Sequence, residues 1–434
     1  MYSKFVLLLL IVNKLWTNFN VDSYILGKSN FRHLIHQNGI VKGINNVIHR
    51  NHPSEASGSR LRVQNSDSVD TCHKGQCSVT CNANGTIQTR EKCIAMMLCG
   101  GVGNRFSESI DKVKNVTVPE GLPTSKQLIS IHGIPVFLYS LAEFLNSSLV
   151  DEVVIATNQS WYKYIIGQIY KHIDFINYIR NPNYTKNSTL AKGCKNPVCK
   201  CARVYRPNME TCGESIDYSV YSDLVSLVYD VEKGSIFGSN TIESVGSKQK
   251  LITFCEAGSE RYFSVYNGLK HIENYTENVQ QNFNANHIVL MHDGARPLLR
   301  LMNIRELVET AKKYDCAIPG YKSVDTLKRI LDKDGSRIVD STIDRSNIYN
   351  IQTPQAFKFG VIMDSYKRIL GSVEDEKESN QDSCAPSLSD DASFIEECKS
   401  GDVQLVKGNK FNIKITTADD VELCKMLLWK TYFS

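Results

Sequence analysis

A short apolar run, Ile94 to Leu98, empties into a turn rich in glycine, Cys99-Gly100-Gly101-Val102-Gly103-Asn104-Arg105. Such a run ending at glycines reads as a buried strand feeding a tight loop. Pro135 to Asn146, PVFLYSLAEFLN, then places apolar residues at helical spacing, with its proline where helix starts tolerate one. Asp151 to Thr157, DEVVIAT, reads as the next parallel strand. Strand, loop, helix and strand in this order form a βαβ unit, which commits the chain to an α/β domain starting near residue 91.

The rest of the chain is read against that unit. Residues 107–121 interrupt the stretch between the glycine turn and Pro123-Thr124-Ser125-Lys126-Gln127. Residues 171–250 show no sustained apolar period and read as a long surface insertion. Order returns with a helix around Ser264, a strand HIVLMHD breaking into Gly294-Ala295-Arg296-Pro297, a helix over 304–314 and a strand near 316–320. The alternation within about 320–352 suggests a projecting β-arm, and the acidic stretch 372–389 reads as a further inserted loop. A closing helix begins at Ala418. The 434 residues thus divide into a leader over 1–90 and one α/β domain over 91–434, with no internal repeat.

The leader has two parts. MYSKFVLLLLIVNKLW holds an apolar run from Phe5 to Val12, too short to span a bilayer and fitting a signal-peptide core. From residue 17 to 70 the acids are only Asp22, Glu55, Asp67 and Asp70, amid Asn, Lys, Arg, His and Ser. That composition resembles a transit segment, and the pair resembles the two-part leaders of apicomplexan plastid (apicoplast) proteins; secretion is the alternative. No stable membrane anchor is expected. The cysteines cluster as Cys72, Cys77, Cys81 and Cys93 and again as Cys194, Cys199, Cys201 and Cys212. The second group, with four, one and ten residues between successive members, fits no paired-knuckle zinc pattern. A net charge of +4 over this length gives no case for nucleic acid as a partner.

The glycine turn lacks the third glycine of a dinucleotide fingerprint and the GK[ST] of a Walker loop. What it does have is exposed backbone N–H groups, an arginine, Arg105, and a later lysine, Lys126, a combination able to cradle and neutralise a polyphosphate. Further along, EAGSERYFS sets Gly258, Arg261 and Ser264 at a helix start, where polar ligand atoms are held. MHDGARP sets Asp293 and Arg296 at the C-terminal end of a strand, where open α/β sheets bind ligands.

HDGARP, DTLKR, TIDRSNIYNIQTPQ and NIKITTADD, in this order after the glycine turn, resemble the 2-C-methyl-D-erythritol 4-phosphate cytidylyltransferase family from about Ile94 to Leu428. The resemblance implies a doubly wound, mixed but mostly parallel Rossmann-like nucleotidyltransferase sheet, and a homodimer formed through the β-arm. It implies that Cys99, Gly100, Gly101 and Gly103 line the nucleotide loop and that Arg105 and Lys126 stabilise the transition state. Gly258 and Ser264 match the cytosine-recognising segment, and Asp293 and Gly294 match ribose and metal-side contacts. Thr326, Arg345 and Lys414 match residues that hold methylerythritol phosphate, the first two reaching the partner subunit's site. The implied substrates are CTP and 2-C-methyl-D-erythritol 4-phosphate, with Mg²⁺ held mainly by the CTP phosphates and Asp293 as its one protein-side candidate. The chain departs from the family at Cys99 and Gly100, where two alanines are usual, and at Ser259, where an aspartate is usual.

The chemistry suits these residue types. A phosphate monoester is already anionic at neutral pH, so the reaction needs charge neutralisation and in-line placement rather than a dedicated base. Other readings remain open at this point. The lysines could be solvated, Arg345 could pair with Asp344, and Asp293 could cap the turn that follows it. His292 reads as a packed strand histidine, and nothing is assigned to His132 or His287. A cytidylyltransferase for another polyol phosphate such as ribitol 5-phosphate, or a catalytically silent CTP-binding scaffold, are the rival functions.

Overall fold

The computed structural model describes residues 80–81, 87–88, 91–101, 106, 119, 122, 125–180, 224, 226–239, 245–246, 248–278, 284–378 and 388–434. The leader through residue 79, most of the 107–121 insertion, and the cysteine cluster of 194–212 lie outside that set.

Two short strands, β1 (Thr80–Cys81) and β2 (Ile87–Gln88), precede β3 (Cys93–Leu98). A hairpin of β4 (Ser130–Ile131) and β5 (Ile134–Pro135) leads into α1 (Val136–Asn146), then β6 (Glu152–Thr157), α2 (Tyr162–Lys171) and α3 (Ile173–Arg180). Next come β7 (Ser226–Asp230), β8 (Ser235–Ser239), β9 (Gln249–Glu256), α4 (Arg261–Asn278) and β10 (Ile288–Asp293). After α5 (Leu301–Tyr314) the chain runs through β11 (Cys316–Lys322), β12 (Leu327–Lys333), β13 (Ser336–Ile343), β14 (Tyr349–Ile351) and β15 (Gln355–Lys358). It ends with α6 (Phe359–Glu378), α7 (Ala392–Cys398), β16 (Gln404–Lys407), α8 (Ala418–Leu428) and a final π-turn, Trp429–Phe433.

The main sheet runs β14-β11-β15-β10-β3-β6-β9-β7-β8, with β16 beside β11. Its centre, β10-β3-β6-β9, is parallel. Strands β15 and β7 flank that centre antiparallel, making the sheet mixed around a parallel middle. Helices cover both faces, and β3 shows how: Cys93, Ala95 and Met97 feed one core while Ile94 and Met96 feed the other. A strand buried on both sides has no polar face to show, so its sequence is an unbroken apolar run. The chain steps from β3 through β6 to β9 in one direction, then returns to place β10 on the other side of β3. The order switches between β3 and β10, and in open α/β sheets the carboxyl ends of the strands at such a point are where ligands bind.

Two expected boundaries change. The 171–250 insertion is ordered at both ends, because its few apolar residues are spent on the core. Phe175 and Ile176 of α3 are buried, and Asn146 Nδ2 donates to the Ile176 carbonyl at 2.8 Å. The β7–β8 hairpin extends the sheet past β9, and Asn177 joins it to α3: Tyr229 Oη donates to Asn177 Oδ1 and Asn177 Nδ2 donates to the Gly234 carbonyl, each at 2.8 Å. The 372–389 loop is shorter than expected, since α6 continues to Glu378 through a run of residues with good helix propensity. The β-arm forms where alternation suggests it: β12 pairs with β13 antiparallel, with an irregularity between Arg329 and Ile330.

Candidate active site

The glycine turn leaves β3 at the switch point. Cys99 N donates to the Ala156 carbonyl at 2.7 Å, continuing the β3–β6 ladder one step. From there the turn's carbonyls are tied down. Gln127 Nε2 donates to both Cys99 O and Gly101 O at 2.8 Å, Ser125 Oγ to Gly101 O at 3.1 Å, and Asn158 Nδ2 to Gly100 O at 3.3 Å. Lys126 sits between two of the residues that do the tying, so its backbone is fixed to the turn although residues 102–124 separate them in sequence. Gly103 and Arg105 lie outside the described residues, and Phe106 is buried.

Gly100 is required by close approach. A Cβ there would stand 2.1 Å from the Ala257 Cβ at the end of β9, which explains a glycine where the family resemblance leads one to expect alanine. Cys99 is buried and its thiol is pushed up to about 12 by desolvation, so it is a filler and not a nucleophile. Gly258 follows, its N–H donating to Ser264 Oγ at 3.0 Å, while Ser264 Oγ lies 3.2 Å from the Glu260 carbonyl. These bonds fold the 257–260 segment over the first turn of α4.

On the β10 side, Gly294 N donates to Leu98 O at 3.0 Å, joining the two sides of the switch point. Asp293 is buried among cations. Its Oδ1 accepts from Arg261 Nε at 3.3 Å, and its Oδ2 from Arg296 Nε at 3.3 Å and Lys414 Nζ at 3.0 Å. Burial alone would push this carboxyl up, but Arg261, Lys414 and Arg296 hold it well below the usual carboxylate range. Arg296 also donates to Asn412 O at 2.9 Å, and Ile415 N donates to Ala295 O at 2.9 Å, which brings the 412–415 segment to the site.

One residue of the cluster has no counterpart in the sequence reading. Asp391, with no exposed surface, takes the Arg261 guanidinium in a fork, Nη1 to Oδ1 at 2.8 Å and Nη2 to Oδ2 at 2.7 Å. Tyr366 Oη donates to the same Oδ1 at 2.8 Å, and Gln355 Oε1 accepts from Asp391 N at 3.1 Å. Arg261 is therefore committed to two carboxylates. Burial alone would lower its pKa, but Asp391 and Asp293 raise it well above its ordinary value. The SDD that precedes ASFIEE at the start of α7 is an ordinary capping signature, so nothing local marks Asp391 out.

His292 is buried behind Asp293. Its Nδ1 lies 3.1 Å from Thr353 Oγ1 and its Nε2 3.2 Å from the Arg296 carbonyl, while Asp293 N donates to Thr353 Oγ1 at 3.1 Å. Burial drives its pKa down to about 4, so at neutral pH it is an uncharged packing and orienting group. Thr326 and Arg345 stand apart from this cluster, exposed at the base of the arm, where the Arg345 guanidinium donates to the Val324 carbonyl. Asp344 does not take Arg345; it accepts from Ser346 N at 2.9 Å.

For a metal, the donor set is poor. Both oxygens of Asp293 face cations, and no group of three His, Cys, Asp or Glu among the described residues is placed to hold an ion.

Residues 231–430 match the family described as IspD: 2-C-methyl-D-erythritol 4-phosphate cytidylyltransferase. A protein of that name from Lachnoclostridium phytofermentans is 34% identical over 215 residues, covering 50% of this chain and 81% of its own length. The chain belongs to the 2-C-methyl-D-erythritol 4-phosphate cytidylyltransferase family. Its namesake from Geobacillus thermodenitrificans is 36% identical over 180 residues, covering 42% of this chain and 67% of the relative. That from Clostridium beijerinckii is 28% identical over 331 residues, 76% of this chain and 96% of the relative.

Proposed function

We propose that the protein transfers CMP from CTP to 2-C-methyl-D-erythritol 4-phosphate, giving 4-diphosphocytidyl-2-C-methyl-D-erythritol and pyrophosphate, a step in isoprenoid precursor synthesis. What carries the reading is the meeting, at the β3–β10 switch point of a chain in this family, of a tied-down glycine turn and a cluster of three cations around Asp293. An oxygen of the phosphate monoester attacks the α-phosphorus of CTP, the bond from that phosphorus to the bridging oxygen of the β-phosphate breaks, and pyrophosphate leaves. Two anions must approach, so the chain's work is neutralisation and alignment.

In this reading the N–H groups of the turn and Lys126, with Arg105, take the triphosphate. Lys414 and Arg296 take the incoming phosphate. Lys414 is the most exposed of the three: its side chain is 34% exposed and bonded to Asp293 at 3.0 Å, so an arriving phosphate competes with that carboxylate for it. Arg261 is held back by Asp391 and serves to keep Asp293 in place. Mg²⁺ would add charge neutralisation at the triphosphate and would be brought by the nucleotide, since Asp293 is taken up by Arg261, Arg296 and Lys414. Thr326 and Arg345 complete the site of a second subunit. The apolar residues of the arm support such a pairing, with Ile330 opposite Val339 and Leu331 opposite Ile338, all about half-exposed. The leader composition supports a plastid destination, where this chemistry would supply isoprenoid units.

The test is pyrophosphate release by the purified chain with CTP, Mg²⁺ and methylerythritol phosphate, beside Lys126→Ala. Turnover reduced about 10²–10³-fold by the substitution is expected, by analogy with loss of one oxyanion donor. Turnover with ribitol 5-phosphate and not methylerythritol phosphate would keep the chemistry and replace the substrate. CTP binding with no turnover on either would make the chain a nucleotide-binding scaffold.

A further inference from the structure

We propose that the C-terminal helix α8 is a strut that fixes the spacing between Lys414 and Lys126, and that His132 is the positioning residue through which it acts; the roles of the two lysines rest on the reading above. The N-terminal end of α8 is anchored at Asp293. Lys414 Nζ lies 3.0 Å from Asp293 Oδ2, and Ile415 N donates to Ala295 O at 2.9 Å. The next residues are clamped onto the helix itself: Thr416 N and Oγ1 donate to Asp420 Oδ2 at 2.8 and 2.6 Å, and Thr417 closes a capping box with Asp420. Lys414 thus joins a stiff helix start and not a loose tail.

The other end of the helix meets the β4–β5 hairpin, which begins four residues after Lys126. His132 Nε2 lies 2.8 Å from the Lys425 carbonyl; a carbonyl only accepts, so Nε2 holds the proton. The imidazole also packs on Trp429 and Phe433, with ring centres 5.4 and 5.5 Å away. His132 stands at the tip of the β4–β5 hairpin with φ 53°, followed by Gly133 at φ 76°, a left-handed pair that makes the tip a tight turn. Hydrogen bonds run unbroken down the hairpin: Val136 N to Ile129 O at 2.9 Å, Phe137 N to Gln127 O at 3.1 Å, then Gln127 Nε2 to Cys99 and Gly101. The final turn is pinned in turn by Tyr432 Oη donating to Glu143 Oε1 at 2.9 Å and Tyr178 Oη to the Tyr432 carbonyl at 3.1 Å.

A second path, beside the one through Gly294 N and Leu98 O, therefore joins the lysine assigned to the incoming phosphate with the lysine assigned to the triphosphate, through the 11 residues of α8. That is about 16 Å at 1.5 Å per residue. In-line transfer depends on such spacing, because a misplacement of about 1 Å can cost about 10²-fold in rate.

His132→Asn in the full chain tests the strut. Asparagine tolerates the left-handed backbone but cannot pack on both rings. Well below its melting temperature, the variant is expected to lose about 10–100-fold in kcat while KM for each substrate stays within about threefold. Hydrogen exchange without substrates is expected to quicken both in 127–137 and in 414–420. Trp429→Leu, which keeps the hydrogen bond and removes one ring contact, is expected to move the same quantities less, and decides the matter if His132→Asn does not fold. An unchanged kcat in folded protein, or faster exchange confined to the hairpin, would overturn the proposal. If the wild-type chain shows no turnover, the proposed reaction fails, and the exchange at 414–420 still decides whether the strut exists.

Discussion

Replacing Gly100 by alanine tests how tightly the nucleotide turn is packed against the end of β9. The added methyl would sit 2.1 Å from the Ala257 Cβ, whereas carbon atoms in contact rest about 3.5–4.0 Å apart. The two strands must yield by about 1.5 Å. They are poorly able to, because Ala257 N is bonded to Thr157 O at 3.0 Å and Asn158 to Gly100 O at 3.3 Å. Overpacking of this kind costs about 1–3 kcal/mol, and two backbone segments in contact place it at the upper end. At about 2 °C per kcal/mol for a large domain, Gly100→Ala should melt roughly 6 °C below wild type. Its KM for CTP should rise as the turn's N–H groups shift. Adding Ala257→Gly removes the clash and should return all but about 1 kcal/mol, the conformational cost of glycine relative to alanine. Thermal unfolding of wild type, both single variants and the double variant measures the cycle. A single Gly100→Ala variant as stable as wild type, or a double variant no better than the single, would show that close approach does not dictate the glycine.

Asp391→Asn should destabilise the chain by about 3–5 kcal/mol, since it leaves the Arg261 charge facing a neutral partner in a buried site; urea unfolding showing less than about 1 kcal/mol would refute the fork's importance. His172, His271, His287 and His292 are each driven by burial from 6.5 to about 4, so the unfolded chain binds more protons between those values and stability should fall as pH drops through that window. The expected loss at pH 5.5 is on the order of 1 kcal/mol per histidine, read as a lower urea midpoint than at pH 7; a flat midpoint would refute it. Glu143, raised to about 7 chiefly by burial, has the opposite sign and should cost stability as pH rises through 7. In the pairing proposed above, Ile338→Asp, on the exposed face of the arm, should shift sedimentation toward monomer and lower activity with it; a wild-type chain that sediments as a monomer, or a variant dimer that stays intact, would refute the arm as the interface.

How far the sequence alone reaches depends on the range over which each feature acts. Three strands of the parallel centre, β3, β6 and β10, are legible because burial on both faces forces apolar runs that no surface strand would keep, whereas β9, with Lys250 and Thr253 in its run, is not. The glycine turn and Asp293 are legible because strand ends in such a sheet are where ligands go. Asp391 is not, because its partner Arg261 lies 130 residues away and its local context is that of any helix start. The ends of the long insertion are hidden for the same reason: Asn177 finds Tyr229 and Gly234 at separations of 52 and 57 residues, and neither segment alone has a period to read. His132 belongs to this class as well. Its turn chemistry is visible in the His-Gly pair, yet its partner is the Lys425 carbonyl, 293 residues on, and a backbone carbonyl leaves no mark in a sequence. Reactive groups are thus named by local motifs, whereas the distances between them are set by contacts that only the folded chain brings together. A chain that carries large insertions between its motifs can keep its chemistry as long as those contacts survive, and the path from Lys414 through α8 to the hairpin that follows Lys126 is one that no insertion interrupts.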